Sequence, residues 1–207
     1  MKLLHIVATS RGEKSRTLRV SRELLQALKS KNPSLEVETL NLYDMDLPEV
    51  REYAVENKTF PAAGPKGEAD SAWSQIEALA KDFAAADAYL ITSPMWNFSV
   101  PYKLKHYIDV IVQAGILFQF TETGAAGLLQ GKKMFCVTSR GSDYSPGSDF
   151  HPYDQQEPYL KTIFGFCGIY DIQFVHAQPM DYTPDLTEAK LQEANAEAIK
   201  LAESTAL

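Results

Sequence analysis

Short apolar runs alternate with longer segments of helical period along this chain. Leu3 to Ala8 reads as a buried strand, and residues from about Ser15 to Lys31 as a helix with Leu18, Leu25 and Leu28 on one face. Leu35 to Leu42 alternates leucine and valine with glutamate and asparagine, which suits a strand nearer an edge. After Asp70 the residues Trp73, Ile76, Ala80 and Phe83 keep a 3.6 period, and Asp87 to Thr92 then reads as a central strand. Pro101 suits the first turn of the next helix, where its missing N–H is harmless, and Leu104, Ile108 and Ile111 mark that helix's apolar side. Lys133 to Ser139 is a fourth strand, and Leu160, Ile163, Phe164 and Cys167 mark a fourth helix. Ile172 to Ala177 is a fifth strand, and a helix rich in alanine, glutamate and lysine, from about Asp185 to Glu203, follows it.

Strict alternation of this kind predicts an α/β domain over 1–207, with one parallel sheet and helices on both faces. Three stretches exceed the minimal unit: about 43–70, 115–131 and 140–155. They hold much of the turn chemistry, including Pro48, Pro61, Gly64-Pro65, Gly124, Gly127, Pro146 and Gly147. Long loops in a compact domain are commonly functional.

Composition narrows the function. The net charge of −7 lacks the basic face that counterion-release binding needs, so nucleic acid is not an expected partner. The N-terminal apolar run is too short for a signal sequence, and no stretch approaches the roughly 20 apolar residues of a membrane span. Cys136 and Cys167 form no paired motif and suit a reducing compartment, so a cytoplasmic protein is expected. The four histidines, His5, His106, His151 and His176, show no ligand spacing, so no metal is expected either.

In an open parallel sheet the ligand lies beyond the carboxyl ends of the strands, where strand order reverses. The loops after strands one, three and four therefore carry the candidate site. The first, Thr9 to Thr17, runs into a helix, and helix N-termini attract phosphates. Ser10, Ser15 and Thr17 add hydroxyls and Arg16 adds charge; the competing reading of Ser15 is an N-cap. Neither a G-x-G-x-x-G run nor a complete P-loop is present, which favours a terminal monophosphate. The loop Ser93 to Pro101 holds Trp96 and Phe98 between two prolines. They either wall a flat heteroaromatic ligand or fold back onto the core. Ser139-Arg140-Gly141-Ser142 adds a glycine that lets backbone approach closely.

These residues bear a resemblance. Ser93-Pro94-Met95-Trp96-Asn97-Phe98, Pro101-xx-Leu104-Lys105-xx-Ile108-Asp109 and Ala114-Gly115-xx-Phe118-xx-Thr121-Glu122-x-Gly124-xx-Gly127-Leu128 follow a shared order and spacing. Gly131-Lys132-Lys133, Thr138-Ser139-Arg140-Gly141 and Gly165-Phe166-x-Gly168 continue it. The chain resembles the FMN-dependent NAD(P)H azoreductases, within the NAD(P)H:quinone oxidoreductase group of flavodoxin-like proteins.

The resemblance implies a flavodoxin-like three-layer sandwich of sheet order 2-1-3-4-5 with non-covalent FMN. By position, Ser10, Ser15, Arg16 and Thr17 would hold the phosphate. Pro94, Met95, Trp96, Asn97 and Phe98 would cradle the ring, and Ser139, Arg140, Gly141 and Ser142 would bound its other side. It also implies a homodimer whose two sites take residues from both chains, with Phe98, Phe120 and Phe166 lining the substrate slot. Trp96 stands where relatives often have tyrosine, and Ser142 where they have a second glycine. Tyr144 falls where relatives carry a histidine or tyrosine beside flavin N1 and O2; it either stabilises charge there or packs its loop.

The implied activity is two-electron, ping-pong transfer from NADH or NADPH through FMN to quinones, with reductive cleavage of aromatic azo compounds. No protein nucleophile is required. The rival readings are a flavodoxin-like electron carrier without a substrate pocket, and a non-catalytic binding module of the same fold.

Overall fold

The computed structural model describes residues 1–50 and 68–207. Much of the expected loop 43–70 therefore lies outside the described residues. The elements are β1 (Lys2–Val7), α1 (Arg16–Lys31), β2 (Glu36–Asn41), α2 (Glu68–Ala85), β3 (Ala88–Pro94) and α3 (Tyr102–Ile111). They continue with β4 (Phe118–Thr121), β5 (Gly124–Gly127), β6 (Lys133–Ser139), α4 (Gln156–Phe166), β7 (Asp171–Ala177) and α5 (Pro184–Ser204).

Five strands form one parallel sheet in the order β2-β1-β3-β6-β7. This is the expected 2-1-3-4-5 order once the separate β4–β5 hairpin is set aside. Strands β3 and β6 are buried along almost their whole length, as their unbroken apolar runs require, whereas β2 is half-exposed at the edge. Alternate side chains of β1 enter different layers. Leu4 and Ile6 join Phe83, Tyr89, Tyr107 and Phe164 on one face. Leu3 joins Val20, Leu24, Leu28, Phe135 and Ala198 on the other, beneath α1 and α5. Phe83 stacks on Tyr89 at 4.3 Å, and the Tyr89 hydroxyl donates to the Phe83 carbonyl at 2.8 Å, so this large core ring leaves no unmet polar group.

Three local expectations shift. Helix α1 buries Thr17, Val20, Ser21, Leu24 and Leu28, so Leu18 and Leu25 flank its packed stripe instead of centring it. Pro101 sits at the N-cap of α3, and its carbonyl accepts from the Lys105 N–H at 3.0 Å. The stretch 115–131 is a two-stranded antiparallel hairpin in register Phe118 to Gly127, not an irregular loop. That hairpin is seated by its glycine: an added Cβ at Gly127 would stand 2.2 Å from the main chain of Cys167 and Gly168.

Candidate functional site

Strand β1 is followed on one side by β2 and on the other by β3, so strand order reverses between β1 and β3. Their carboxyl ends open onto a cleft of about 230 Å³. Ser10, Ser15, Arg16, Thr17, Pro94, Met95, Trp96, Ser139, Arg140 and Gly141 all line it. The three loops singled out from the sequence thus meet in one place.

At the end of the cleft nearest α1, the helix begins at Arg16, and the N–H groups of a helix's first turn have no partner within it. Ser15 caps that turn, its Oγ accepting from the Leu18 N–H at 3.1 Å. The cap is therefore present, and because it uses a lone pair the hydroxyl hydrogen is left available to a ligand. The Thr17 and Ser139 hydroxyls are 2.6 Å apart and join α1 to β6 across the cleft floor. Arg16 is turned aside: its Nη1 donates to the Met180 carbonyl at 2.7 Å and lies 3.6 Å from an Asp181 carboxylate oxygen.

At the other end stand Pro94, Met95 and Trp96. The Met95 N–H donates to the Ser139 carbonyl at 2.8 Å, which pins this loop to the end of β6. Trp96 and Ser99 exchange backbone hydrogen bonds around a tight turn, with Asn97 at φ 47° and Phe98 at φ 69°. Two successive left-handed residues define a primed turn, and a phenylalanine there is strained. The turn holds Trp96 and Phe98 at 37% and 43% exposure, so they do not fold back onto the core. Trp96 leans on Tyr102 at 6.3 Å and Phe98 on Tyr153 at 5.4 Å.

The other predicted residues are distributed differently. Asn97, Phe98 and Ser142 lie outside the cleft's lining. Arg140 contributes to the lining, but its side chain is only 1% exposed and its Nη1 pairs with Asp154 at 2.9 Å. Burial pulls this guanidinium below its ordinary pKa, against the opposing pull of Asp154 and Glu157. Tyr144 lines a second cavity of about 410 Å³, with His151, Glu157 and His176, and packs edge-on to Phe150. Phe120 and Phe166 gather around Phe118 at the hairpin. Helix α4 begins beside the cleft, and its rise of about 1.5 Å per residue sets Phe166 roughly 15 Å along the axis from Gln156.

Sequence reasoning placed Thr9 and Arg11 on a candidate loop without giving them a role, and it missed Met180 and Asp181 in the lining. The last two follow β7, the far edge strand, and no pattern marks them. It also missed Asp154 and Gln156, both buried polar residues at the start of α4. Among the described residues no cluster of three His, Cys, Asp or Glu could hold a metal ion. Among them, too, no helix is long and apolar enough to cross a membrane.

Helix-terminal N–H groups and hydroxyls at one end, with a flat apolar wall at the other, fit a ligand with a phosphate tail and a planar ring. Fold and cleft together define a doubly wound α/β protein with a mononucleotide-type site at its switch point. The family model described as "Flavodoxin-like fold" matches residues 1–202, and the chain belongs to that family. It is 36% identical over 99% of its length to an FMN-dependent NADH:quinone oxidoreductase 3 of Pseudomonas fluorescens, covering 97% of that protein. It is 40% identical to an FMN-dependent NADH:quinone oxidoreductase 2 of Pseudomonas syringae pv. tomato, covering 98% of each chain. Among solved structures, an azoreductase from Bacillus anthracis superposes with a TM-score of 0.90 at 26% identity, over 99% of this chain and 100% of that one. An FMN-dependent NADH-azoreductase of the same species, in complex with FMN, gives 0.88 at 28% identity over 98% of each chain.

Proposed function

We propose that this chain is an FMN-dependent NADH:quinone oxidoreductase that also reduces aromatic azo compounds. One observation carries the reading: the cleft at the β1/β3 reversal joins phosphate-type donors to an exposed aromatic wall. Ser10, Ser15 and Thr17, with the first N–H groups of α1, would hold the phosphate. Pro94, Met95 and Trp96 would support the ring, with Asn97 and Phe98 at its outer edge. Ser139, Gly141, Ser142 and the Arg140 main chain would bound the far side. FMN, when bound, supplies acceptance of two electrons from a nicotinamide and their delivery to a quinone or azo acceptor. The protein's tasks are to orient it and to present N–H dipoles where charge develops.

The working unit in this reading is a cytoplasmic homodimer. Two free, buried cysteine thiols suit a reducing compartment. Phe120, 67% exposed, and Phe166, 42% exposed, stand away from their own chain's cleft, where they are free to line the substrate slot of a second copy. The deciding experiment is the absorption spectrum of the purified protein, then anaerobic bleaching by NADH and reoxidation by benzoquinone. Bound flavin that NADH does not reduce would instead support an electron carrier, and a colourless protein that takes up no FMN would defeat both readings. Ping-pong turnover predicts parallel double-reciprocal plots. Sedimentation at the mass of one chain would remove the dimer.

A further inference from the structure

We infer that Arg140 is a positioning residue: its buried guanidinium clamps the aromatic wall in place through Asp154 and Gln156, and does not hold FMN itself. The inference rests on the function proposed above and deepens it.

The Pro94–Phe98 segment is tied at both ends to the start of α4. The Gln156 side-chain amide donates to the Pro94 carbonyl at 3.0 Å and to the Ser93 carbonyl at 3.4 Å. The Gln155 N–H donates to the Phe98 carbonyl at 2.9 Å. These bonds bracket the two left-handed residues, Asn97 and Phe98. Backbone held in such a region persists only where its surroundings over-determine it. What fixes residues 154–156 in turn is Arg140. Its Nε donates to Gln156 Oε1 at 3.3 Å, and its Nη1 meets Asp154 Oδ2 at 2.9 Å. Asp154 uses its other oxygen to accept the N–H groups of Gln156 and Glu157, at 2.9 and 3.1 Å, and so caps α4. Asp154 lines the second cavity and not the cleft, whereas Arg140 borders both. Gln156 is fully buried and Arg140 almost so. Two of the guanidinium nitrogens are engaged by Gln156 and Asp154, while Nη2, without a hydrogen-bond partner among the described residues, lies 3.9 Å from a Glu157 carboxylate oxygen. A buried charge pair holds its partners in one geometry.

The alternative is that Arg140 touches FMN directly, and Asp154 and Gln156 separate the two. FMN affinity is measured by quenching of flavin fluorescence. The wall is followed in the apoprotein by acrylamide quenching of Trp96, in a Trp73→Phe background that leaves Trp96 as the sole tryptophan. Arg140→Met, Asp154→Asn and Gln156→Leu should each weaken FMN by about tenfold or more and change Trp96 quenching. Arg140→Met combined with Gln156→Leu should be little worse than either alone, because both cut one chain of contacts. Arg140→Lys, which keeps the charge without the fork, should fall between. If Asp154→Asn and Gln156→Leu bind FMN and quench like the parent, while Arg140→Met loses FMN, the clamp is refuted and Arg140 is a ligand. Should Arg140→Met fail to fold, Gln156→Leu decides, since it leaves the Arg140–Asp154 pair intact. If the parent takes up no FMN, the proposed function fails by itself; the clamp is then judged on Trp96, and unchanged quenching in Gln156→Leu overturns it.

Discussion

Two glycine-to-alanine changes with similar clash distances should have very unequal consequences for stability. At Gly127 the new Cβ would stand 2.2 Å from the carbonyl carbon of Cys167 and 2.2 Å from the nitrogen of Gly168. Both are main-chain atoms, so no side chain can rotate away. The hairpin must lift, and with it goes the Leu129 N–H bond to the Cys167 carbonyl, now 2.9 Å. Overpacking costs about 1–3 kcal/mol when side chains can adjust, and the lost bond adds about 1, so Gly127→Ala should cost about 3 kcal/mol or more. At Gly141 the new Cβ would meet the Asp181 carboxylate at 2.4 Å, but that side chain is 79% exposed and can swing into solvent. The loss is a surface contact to Arg16, about 0–1 kcal/mol. Because Gly141 lines the cleft, the methyl should weaken FMN while the apoprotein unfolds at nearly the parental urea midpoint. Urea unfolding of both apoproteins by circular dichroism, beside an FMN titration, reads the contrast. Equal midpoint shifts for the two variants would refute the distinction between backbone and side-chain obstruction.

Ser15→Ala should destabilise the apoprotein by about 1 kcal/mol through loss of the α1 cap, and an unchanged urea midpoint would deny the cap. His5 is held at a pKa of about 4, first by burial and then by the charge of Arg22. The unfolded chain therefore binds the proton first, and up to about 3 kcal/mol of stability should drain away as pH falls from 6.5 towards 4. An NMR titration showing a His5 midpoint near 6.5 would contradict this. Glu157 is depressed to about 2, chiefly by its hydrogen bond from His176. Its contribution should be complete above pH 4.5 and fade between 4.5 and about 2, and Glu157→Gln should flatten that part of the stability profile.

The order of elements was legible because central parallel strands are buried on both faces and announce themselves as unbroken apolar runs, as in Ala88–Thr92. The cleft's two halves were legible for a different reason: strand order reverses between β1 and β3, which makes their loops meet wherever the details fall. The β4–β5 hairpin was not legible, since four-residue strands are too short to show a period and its seat is the distant backbone of Cys167 and Gly168. Met180 and Asp181 reach the cleft only through tertiary contact with Arg16 and Gly141. Arg140 shows a further limit. Its place after β6 puts its main chain at the cleft, while the direction of its side chain depends on Asp154 and Gln156, fourteen and sixteen positions further on.

What orients the α1 end of the cleft is polar, although it lies in the core. His5 Nε2 meets the Thr92 hydroxyl at 2.8 Å, and Thr92 meets the Ser21 hydroxyl at 2.6 Å. Ser21 donates to the Thr17 carbonyl at 3.1 Å, and the Thr17 hydroxyl meets Ser139 at 2.6 Å. Apolar contact beneath α1 holds the helix to the sheet but is non-directional, so by itself it would let the helix slide or roll. These bonds are directional: His5–Thr92 joins β1 to β3, Thr92–Ser21 joins β3 to α1 and Thr17–Ser139 joins α1 to β6, while Ser21–Thr17 lies within α1. An unpaired buried hydroxyl is costly, so the two bonds that bridge helix and sheet, Thr92–Ser21 and Thr17–Ser139, resist a slide or roll of the helix. The apolar layer therefore supplies most of the binding of α1 to the sheet, while the hydroxyl chain fixes its height and rotation. The first turn of α1, which lines the cleft at Arg16 and Thr17, is thereby held in place by contacts that involve no ligand, and that is the sense in which the cleft is preorganised.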